Sequence, residues 1–454
     1  MEDTIAAVST AYGEGGIGIV RMSGENAKEI FSRIFSRFEF AEDRKLTYGE
    51  IVDPASGEKI DEVLAVFMPA PHTYTTEDVV EIDCHGSIVS LRKILSLCIN
   101  QGARLAEKGE FTKRAFLGGR LDLSQAEAVI DIIKAKTDRG FGAAMNQLDG
   151  ALSKEIRNIR KELLDILVEV SVSIDYPDED IEQVTYEKLK AGIGSAKEKV
   201  ETLLSSSGSG RIIREGLDVA IIGKPNVGKS SLMNALLKET RAIVTDIPGT
   251  TRDTIQESIS IDGIPVRLTD TAGIRSTEDE IEKIGIERSK MSADNSDLVI
   301  FIVDTSLPLS DEDREIMEAL IGRKVIILAN KQDLDTAVSL DEISGLMPEA
   351  LVIPTSLAQG EGVKEMEEAI TSLVLEGKVS QDSSLLVTNV RHESLLKSAR
   401  DALTDALAIT EILEPPEIIE IDINRAYEFL GEIIGEEVND DIINEVFRRF
   451  CLGK

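Results

Sequence analysis

The residues best suited to do chemistry are eight in a row, Gly223-Lys224-Pro225-Asn226-Val227-Gly228-Lys229-Ser230. They follow the apolar run Leu217 to Ile222 and precede a helical pattern opening at Ser231-Leu232-Met233. In that setting a G-x-x-x-x-G-K-[ST] turn wraps an anion. Backbone N–H groups from Asn226, Val227 and Gly228 round to Ser231 would surround the phosphates. Lys229 would neutralise the β- and γ-phosphates, and Ser230 would reach Mg²⁺.

Further motifs follow in the order such a site requires. Asp270-Thr271-Ala272-Gly273 ends the run Val266 to Thr269. A carboxylate there is placed to hold Mg²⁺ through water, and Gly273 offers an unobstructed N–H to the γ-phosphate. Asn330-Lys331-Gln332-Asp333 follows the strand-like Val325 to Ala329. The Asp333 carboxylate would accept from the N1–H and 2-amino donors of guanine, whereas adenine would face it with an acceptor. Ser356-Leu357-Ala358 would close over the base through backbone amides. Together these predict a GTP site and not an ATP site. Between them, Thr245-Asp246-Ile247-Pro248-Gly249-Thr250-Thr251-Arg252-Asp253 is rich in hydroxyls and carbonyls, so it is a candidate switch that brings one Thr to Mg²⁺ and orders on the γ-phosphate. Ile274 stands where Ras-like enzymes carry a water-positioning Gln, so another group must orient the water.

The elements that must position these residues can be read from periodicity. From Leu217 to Pro354 apolar strands alternate with helical patterns, including Ile259 to Leu268 folded about Asp262-Gly263, Leu298 to Val303 and Leu351 to Pro354. That alternation predicts a doubly wound sheet. Upstream, Thr4 to Val8, Gly18 to Met22, Val63 to Met68 and Val79 to Asp83 read as strands, with a helix over Ile88 to Ile99. The pattern turns helical from Leu123. Leu152, Ile156, Ile159, Leu163, Ile166 and Val170 recur at spacings of 4, 3, 4, 3 and 4, one face of a long helix that Pro177 ends. Ser205-Ser206-Ser207-Gly208-Ser209-Gly210 has the composition of a flexible linker and marks a domain boundary. Beyond about residue 380 helices return, as in Asn424 to Gly435 and Asp440 to Phe450. The simplest arrangement is a multidomain chain: an α+β domain over 1–120, a helical domain over 121–213 and 379–454, and a doubly wound P-loop domain inserted at 214–378.

Composition sets the outer limits. Of 454 residues, 42% are hydrophobic, enough for sizeable cores, and 50 Lys plus Arg stand against 83 Asp plus Glu for a net charge of −33. Such a surface argues against gripping nucleic acid over its whole extent, because that binding works by counterion release to Lys and Arg. The three Cys, Cys84, Cys98 and Cys451, cannot frame a disulfide-stapled fold. With no apolar run near membrane-spanning length and no secretory pattern at Met1-Glu2-Asp3-Thr4-Ile5, a cytoplasmic protein is expected.

Across its length the chain resembles the bacterial MnmE (TrmE) family of tRNA modification GTPases. The likeness runs from Gly15-Gly16-Ile17-Gly18-Ile19-Val20-Arg21-Met22-Ser23-Gly24, through Gly109-Glu110-Phe111-Thr112-Lys113-Arg114-Ala115-Phe116 and Leu121-Asp122-Leu123-Ser124-Gln125-Ala126-Glu127-Ala128. It continues through Gly249-Thr250-Thr251-Arg252-Asp253 to Phe450-Cys451-Leu452-Gly453-Lys454. The resemblance implies a folate-binding N-terminal domain that also forms a homodimer, and a helical domain carrying an inserted G domain. It implies a flavoprotein partner, MnmG, which brings the FAD. Together they would add an aminomethyl or carboxymethylaminomethyl group to C5 of the wobble uridine of certain tRNAs, drawing one carbon from methylene-tetrahydrofolate. Carried onto this sequence, Asn226, Thr245, Ile247 and Thr250 would hold K⁺, and Ser230 with Thr251 would hold Mg²⁺. Glu282 would help orient the attacking water. Arg21, Glu81, Arg120 and Lys454 would contact the folate, with Arg120 at a position where some members carry Lys. The charge of the chain implies that tRNA is held mainly through the partner.

Other features bear a plainer reading. Gly13, Gly15 and Gly18 match G-x-G-x-x-G, yet a strand and not a helix follows, so the dinucleotide motif fails its context. Cys451 beside Phe450 and Leu452 is either a functional thiol or a packing residue, and Asp83-Cys84-His85 lacks the second cluster a metal would need. The acidic runs Asp178-Glu179-Asp180 and Glu278-Asp279-Glu280 read as solvated surface. The competing function is a GTPase switch in ribosome assembly, which folate binding separates from the first.

Overall fold

Alternation of buried and less buried residues along four of its six strands builds the first sheet. The structure, a computed structural model, describes residues 3–11, 13–175, 186–239, 256–270, 291–375, 385–436 and 438–454. Strands β1 (Ile5–Val8), β2 (Gly15–Ser23), β3 (Thr47–Val52), β4 (Lys59–Met68), β5 (Val79–Gly86) and β6 (Arg104–Leu105) line up in the order β3-β4-β5-β2-β1-β6. All neighbours are antiparallel except β1 and β6. Helices Ala27–Ile34 and Ile88–Asn100 cover one face, where Ile30, Phe31, Leu91 and Ile94 meet Val20, Val63, Val80 and Ile82. Because strand side chains alternate in direction, Glu81 and Arg21 project from the other face, directly opposite one another in register. The expected strands are all present, and β2 begins at Gly15 with no helix behind it. The sequence reading missed β3, whose Gly49 leaves room for the Phe35 ring; a Cβ there would lie 2.6 Å from ring carbons.

The second sheet holds β7 (Leu217–Ile222), β8 (Gln256–Ile261), β9 (Ile264–Asp270), β10 (Leu298–Asp304), β11 (Val325–Asn330) and β12 (Leu351–Pro354) in the order β12-β11-β10-β7-β9-β8. Five strands are parallel and β8 alone is antiparallel. Near-continuous apolar strands are what a sheet covered on both faces requires. Val219, Ile221, Ile300 and Leu328 pack under helices Lys229–Glu239 and Val363–Leu375, while Ile222, Phe301, Val303 and Ile327 pack under Asp311–Ala319 and Leu340–Leu346. Asp262 (φ +46°) and Gly263 (φ +77°) make the tight β8–β9 turn as their dipeptide predicts. Successive strands leave β7 on opposite sides, so the sheet's switch point falls at its carboxyl end.

Helices make up the rest. Ala151–Asp175 buries Leu152, Ile156, Ile159, Leu163 and Val170 as the spacing predicts, but Ile166 is only half-buried and Leu167 takes the inward place. Against it lies Pro416–Ile434, where the Arg160 guanidinium sits 3.9 Å from the Tyr427 ring centroid and its Nε donates to the Tyr427 carbonyl. That helix starts earlier than its apolar pattern shows, because Pro416 is preset for a first turn.

The serine-glycine stretch corrects an expectation. It is no flexible linker: Ser205 ends helix Tyr186–Ser205, and Ser207–Glu215 is itself helical with Ser207, Ser209 and Gly210 buried. The Ser209 hydroxyl donates to the Val374 carbonyl at 2.9 Å, and a Cβ on Gly210 would lie 2.3 Å from the Val387 carbonyl oxygen. Small residues there serve close approach. By contact the chain forms two compact units, one of residues 1–130, 147–189 and 409–454, the other of 131–146 and 190–408. Among the described residues no helix is long and apolar enough to cross a membrane.

Candidate functional site

The phosphate loop lies at the switch point, between β7 and helix Lys229–Glu239. Three of its residues adopt positive φ: Gly223 at +154°, Asn226 at +64° and Gly228 at +120°. These angles turn successive amides toward one concavity, which is how a short loop binds an anion. The glycines are sterically required. A Cβ on Gly223 would lie 2.7 Å from the Ile302 carbonyl oxygen, and one on Gly228 would lie 2.4 Å from Asn330 Nδ2. The Lys229 ammonium donates to the carbonyls of Gly223 and, at 2.7 Å, Lys224, so it lies folded across the loop. Ser230 and Asn226 are exposed. β9 ends at Asp270, paired with Ile221 of β7, which carries that residue to the same end of the sheet.

The base-reading turn is built around Asn330. Its buried amide donates to the Val227 carbonyl at 2.7 Å and accepts from the Leu357 amide at 3.0 Å, so one side chain joins three loops. Lys331 has φ +69°, which turns the chain so that Asp333 meets Ser356, whose hydroxyl donates to Asp333 Oδ1 at 2.7 Å. The expected use of the Ser356, Leu357 and Ala358 amides is corrected in part. The Ser356 amide donates to the Glu361 carbonyl and the Leu357 amide to Asn330. Of the three, Ala358 alone has an amide without an internal partner among the described residues.

Sequence reasoning missed Asp304. It ends β10 and takes the Lys331 ammonium on Oδ2 at 2.5 Å and the Ser306 hydroxyl on Oδ1 at 2.6 Å. Burial pushes this carboxyl up, but Lys331 and Ser306 outweigh it and hold Asp304 below the usual carboxylate range. Its signal was available, a carboxylate closing an apolar strand as Asp270 does. Of the other expected nucleotide residues, Thr245, Asp246, Ile247, Pro248, Gly249, Thr250 and Thr251 lie outside the described residues. So do Thr271, Ala272, Gly273 and Glu282.

A second constellation occupies the opposite face of the first sheet. Arg21 Nε donates to Glu81 Oε1 at 2.7 Å, and the Arg21 guanidinium lies 5.8 Å from the Tyr74 ring centroid and 5.6 Å from that of Phe111. Arg120 covers the same Tyr74 ring at 4.8 Å and donates to the Tyr74 carbonyl at 3.2 Å. Tyr74 is therefore the hub, a residue without any sequence motif. Its hydroxyl pairs with Thr112 at 2.9 Å. Its loop is pinned through Glu77 by the buried Arg114, which also bonds Asp3 and Glu110. Leu452 packs with Tyr74, Phe111, Ile5 and Ala7. Gly453, at φ +87°, accepts from the Ser9 hydroxyl at 3.1 Å, and a Cβ on it would lie 2.1 Å from the Val8 carbonyl oxygen. Lys454 is carried to the end of β1, beside the strand that bears Arg21.

The thiols differ. Cys84 and Cys98 are buried, burial pushing the Cys98 thiol up to about 12, whereas Cys451 is exposed. Among the described residues no group of three or more His, Cys, Asp and Glu is placed to hold a metal ion.

A doubly wound sheet with a glycine-gated phosphate loop at its switch point and a carboxylate in the base-reading turn defines a P-loop GTPase. The family patterns described as "MnmE helical domain" and "GTP-binding protein TrmE N-terminus" match residues 123–451 and 4–120. Similar proteins include the tRNA modification GTPase MnmE of Alkaliphilus metalliredigens, 50% identical with 100% of both chains covered. Those of Acetivibrio thermocellus and Clostridioides difficile are each 49% identical, covering 100% of this chain and 99% and 100% of theirs. Among solved structures, the FeoB G-domain from Methanococcus jannaschii is 27% identical over 35% of this chain and 97% of its own, with a TM-score of 0.26. The chain belongs to the MnmE family of tRNA modification GTPases.

Proposed function

We propose that the chain hydrolyses GTP in a K⁺-dependent way and, with the flavoprotein MnmG, adds an aminomethyl or carboxymethylaminomethyl group to C5 of the wobble uridine of certain tRNAs. The observation that carries this reading is the presence in one chain of a guanine-nucleotide loop and, in a separate unit, an arginine–carboxylate–aromatic constellation suited to a pterin. The family membership supports it along the whole length.

The residues fit the groups they would hold. Ser230 offers an exposed hydroxyl at the start of the helix, and with Thr251 it would hold Mg²⁺, which neutralises phosphate charge. Asn226 places a neutral amide on the exposed turn of the phosphate loop, the kind of oxygen a hard monovalent cation takes. With Thr245, Ile247 and Thr250 it would hold K⁺, whose charge stands in for an arginine finger. Glu282 would orient the water. In the other unit, Arg21 fixes the Glu81 carboxylate so that it can accept the paired N–H donors of a pterin. Tyr74 offers a stacking surface, and Arg120 and Lys454 suit the carboxylates of a folate's glutamyl tail.

In this reading residues 1–120 form the folate and dimerisation domain, 121–213 and 379–454 the helical domain, and 214–378 the inserted G domain. The protein acts in the cytoplasm as a homodimer, the one-carbon unit comes from a tetrahydrofolate derivative, and FAD arrives only with the partner. With a net charge of −33, tRNA is held mainly by that partner. GTP turnover in K⁺ and Na⁺ buffers and the melting temperature with 5-formyltetrahydrofolate test the two halves separately. Faster turnover in K⁺ and a raised melting temperature are expected; equal rates would overturn the cation reading, and an unmoved melting temperature the folate reading.

A further inference from the structure

The segment from Asp304 to Asp313, between β10 and helix Asp311–Ala319, touches both ends of the nucleotide site. At its far end Asp313 Oδ2 accepts the Lys224 ammonium at 2.6 Å, and the Ser310 hydroxyl accepts the same ammonium at 2.9 Å. Lys224 is a phosphate-loop residue, and its own carbonyl holds the Lys229 ammonium. Asp313 is held in turn by a reciprocal cap: the Ser310 amide donates to Asp313 Oδ2 at 3.0 Å and the Asp313 amide to Ser310 Oγ at 3.3 Å. The Asp313 side chain is 3% exposed, and Oδ1 has no hydrogen-bond partner among the described residues. A helix cap alone does not need a carboxylate buried at that cost. The pairing with Lys224 accounts for the charge.

At the near end Asp304 takes the Lys331 ammonium at 2.5 Å. The next residue, Thr305, donates from both its amide and its hydroxyl to the Asn330 carbonyl, at 3.0 and 2.8 Å, and accepts from Gln332 Nε2 at 3.0 Å. Three consecutive residues of the base-reading turn are thus fastened to two consecutive residues of this segment. Lys331 sits at φ +69°, a conformation a lysine reaches only when its surroundings impose it.

We propose that the Asp304–Asp313 segment is a two-ended anchor for the bound nucleotide, in which Asp313 positions the phosphate loop through Lys224 and Asp304 positions the base-reading turn through Lys331. Both are positioning residues, each acting on the site through a lysine, Asp313 through Lys224 and Asp304 through Lys331. The proposal rests on the guanine-nucleotide reading and adds a division of labour: phosphate grip depends on one carboxylate, base discrimination on the other.

Competition against a fluorescent GDP, with the full chain and its K224M, K224R, D313N and D304N variants, separates the two ends. GMP lacks the β-phosphate and IDP lacks the 2-amino group that Asp333 reads. K224M and D313N are expected to shrink the preference for GDP over GMP about tenfold, the scale of a charge-assisted hydrogen bond, with the preference for GDP over IDP unmoved. K224R is expected to restore it. D304N is expected to shrink the preference for GDP over IDP about fivefold and leave the other ratio alone. Variants that bind all three nucleotides equally more weakly would show a merely structural role, and ratios unmoved in D313N and D304N would overturn the anchor. Failure of the unmodified chain to bind fluorescent GDP would instead overturn the guanine-nucleotide reading.

Discussion

The two constellations are built by opposite means. The nucleotide site is made of backbone: glycines that no Cβ could replace, amides turned inward by positive φ, and one buried amide side chain, Asn330, joining three loops. The site on the first sheet is made of side chains drawn from four separate segments, with Arg21, Glu81, Tyr74 and Arg120 brought together by strand register and one aromatic ring. A backbone site constrains residue types at consecutive positions, whereas a side-chain site constrains only what reaches the same point in space.

That contrast can be broken or sharpened by substitution, beginning with the largest expected effect. Asp333→Asn replaces an acceptor with a donor opposite the 2-amino group of guanine, so guanine-nucleotide affinity should fall about a hundredfold or more and xanthine nucleotides should gain. Equilibrium binding of both bases measures this, and retained guanine preference would place base reading elsewhere. Arg21→Met removes the partner of Glu81 and both ring contacts. Affinity for 5-formyltetrahydrofolate, read by titration calorimetry, should drop about tenfold while GDP affinity stays within about twofold. A matching loss of GDP affinity would contradict the independence of the two sites. Gly453→Ala asks a Cβ to share space with the Val8 carbonyl oxygen at φ +87°. The tail should lift, folate affinity should fall by about threefold, and the strain should cost about 1–3 kcal/mol. An unchanged melting curve would show that the tail is not held in place.

The same contrast explains what was legible beforehand. The phosphate loop, Asn330-Lys331-Gln332-Asp333 and all five longer strands of the second sheet were readable because each is a contiguous run in a fixed order. Tyr74 and Asp313 were not, since each acquires its role from residues distant in the chain, Arg21 and Arg120 for Tyr74 and Lys224 for Asp313, whereas Asp304 could be read as a carboxylate closing a strand but its pairing with Lys331 could not. The serine-glycine stretch misled for a physical reason. Small residues permit both freedom and tight contact, and composition alone does not distinguish them until Val374 and Val387 are seen against Ser209 and Gly210.

The seat of Gly453 on Val8 and Ser9 joins residues made 444 positions apart. During synthesis the first sheet therefore emerges with a bare rim and keeps it while every nucleotide-binding element is being made. Only when translation delivers the tail does Leu452 settle beside Tyr74 and Phe111. Without residues 452–453 the first sheet would lack the leucine that packs on Tyr74 and Phe111 and the glycine seated on Val8 and Ser9, while the phosphate loop lies elsewhere in the chain.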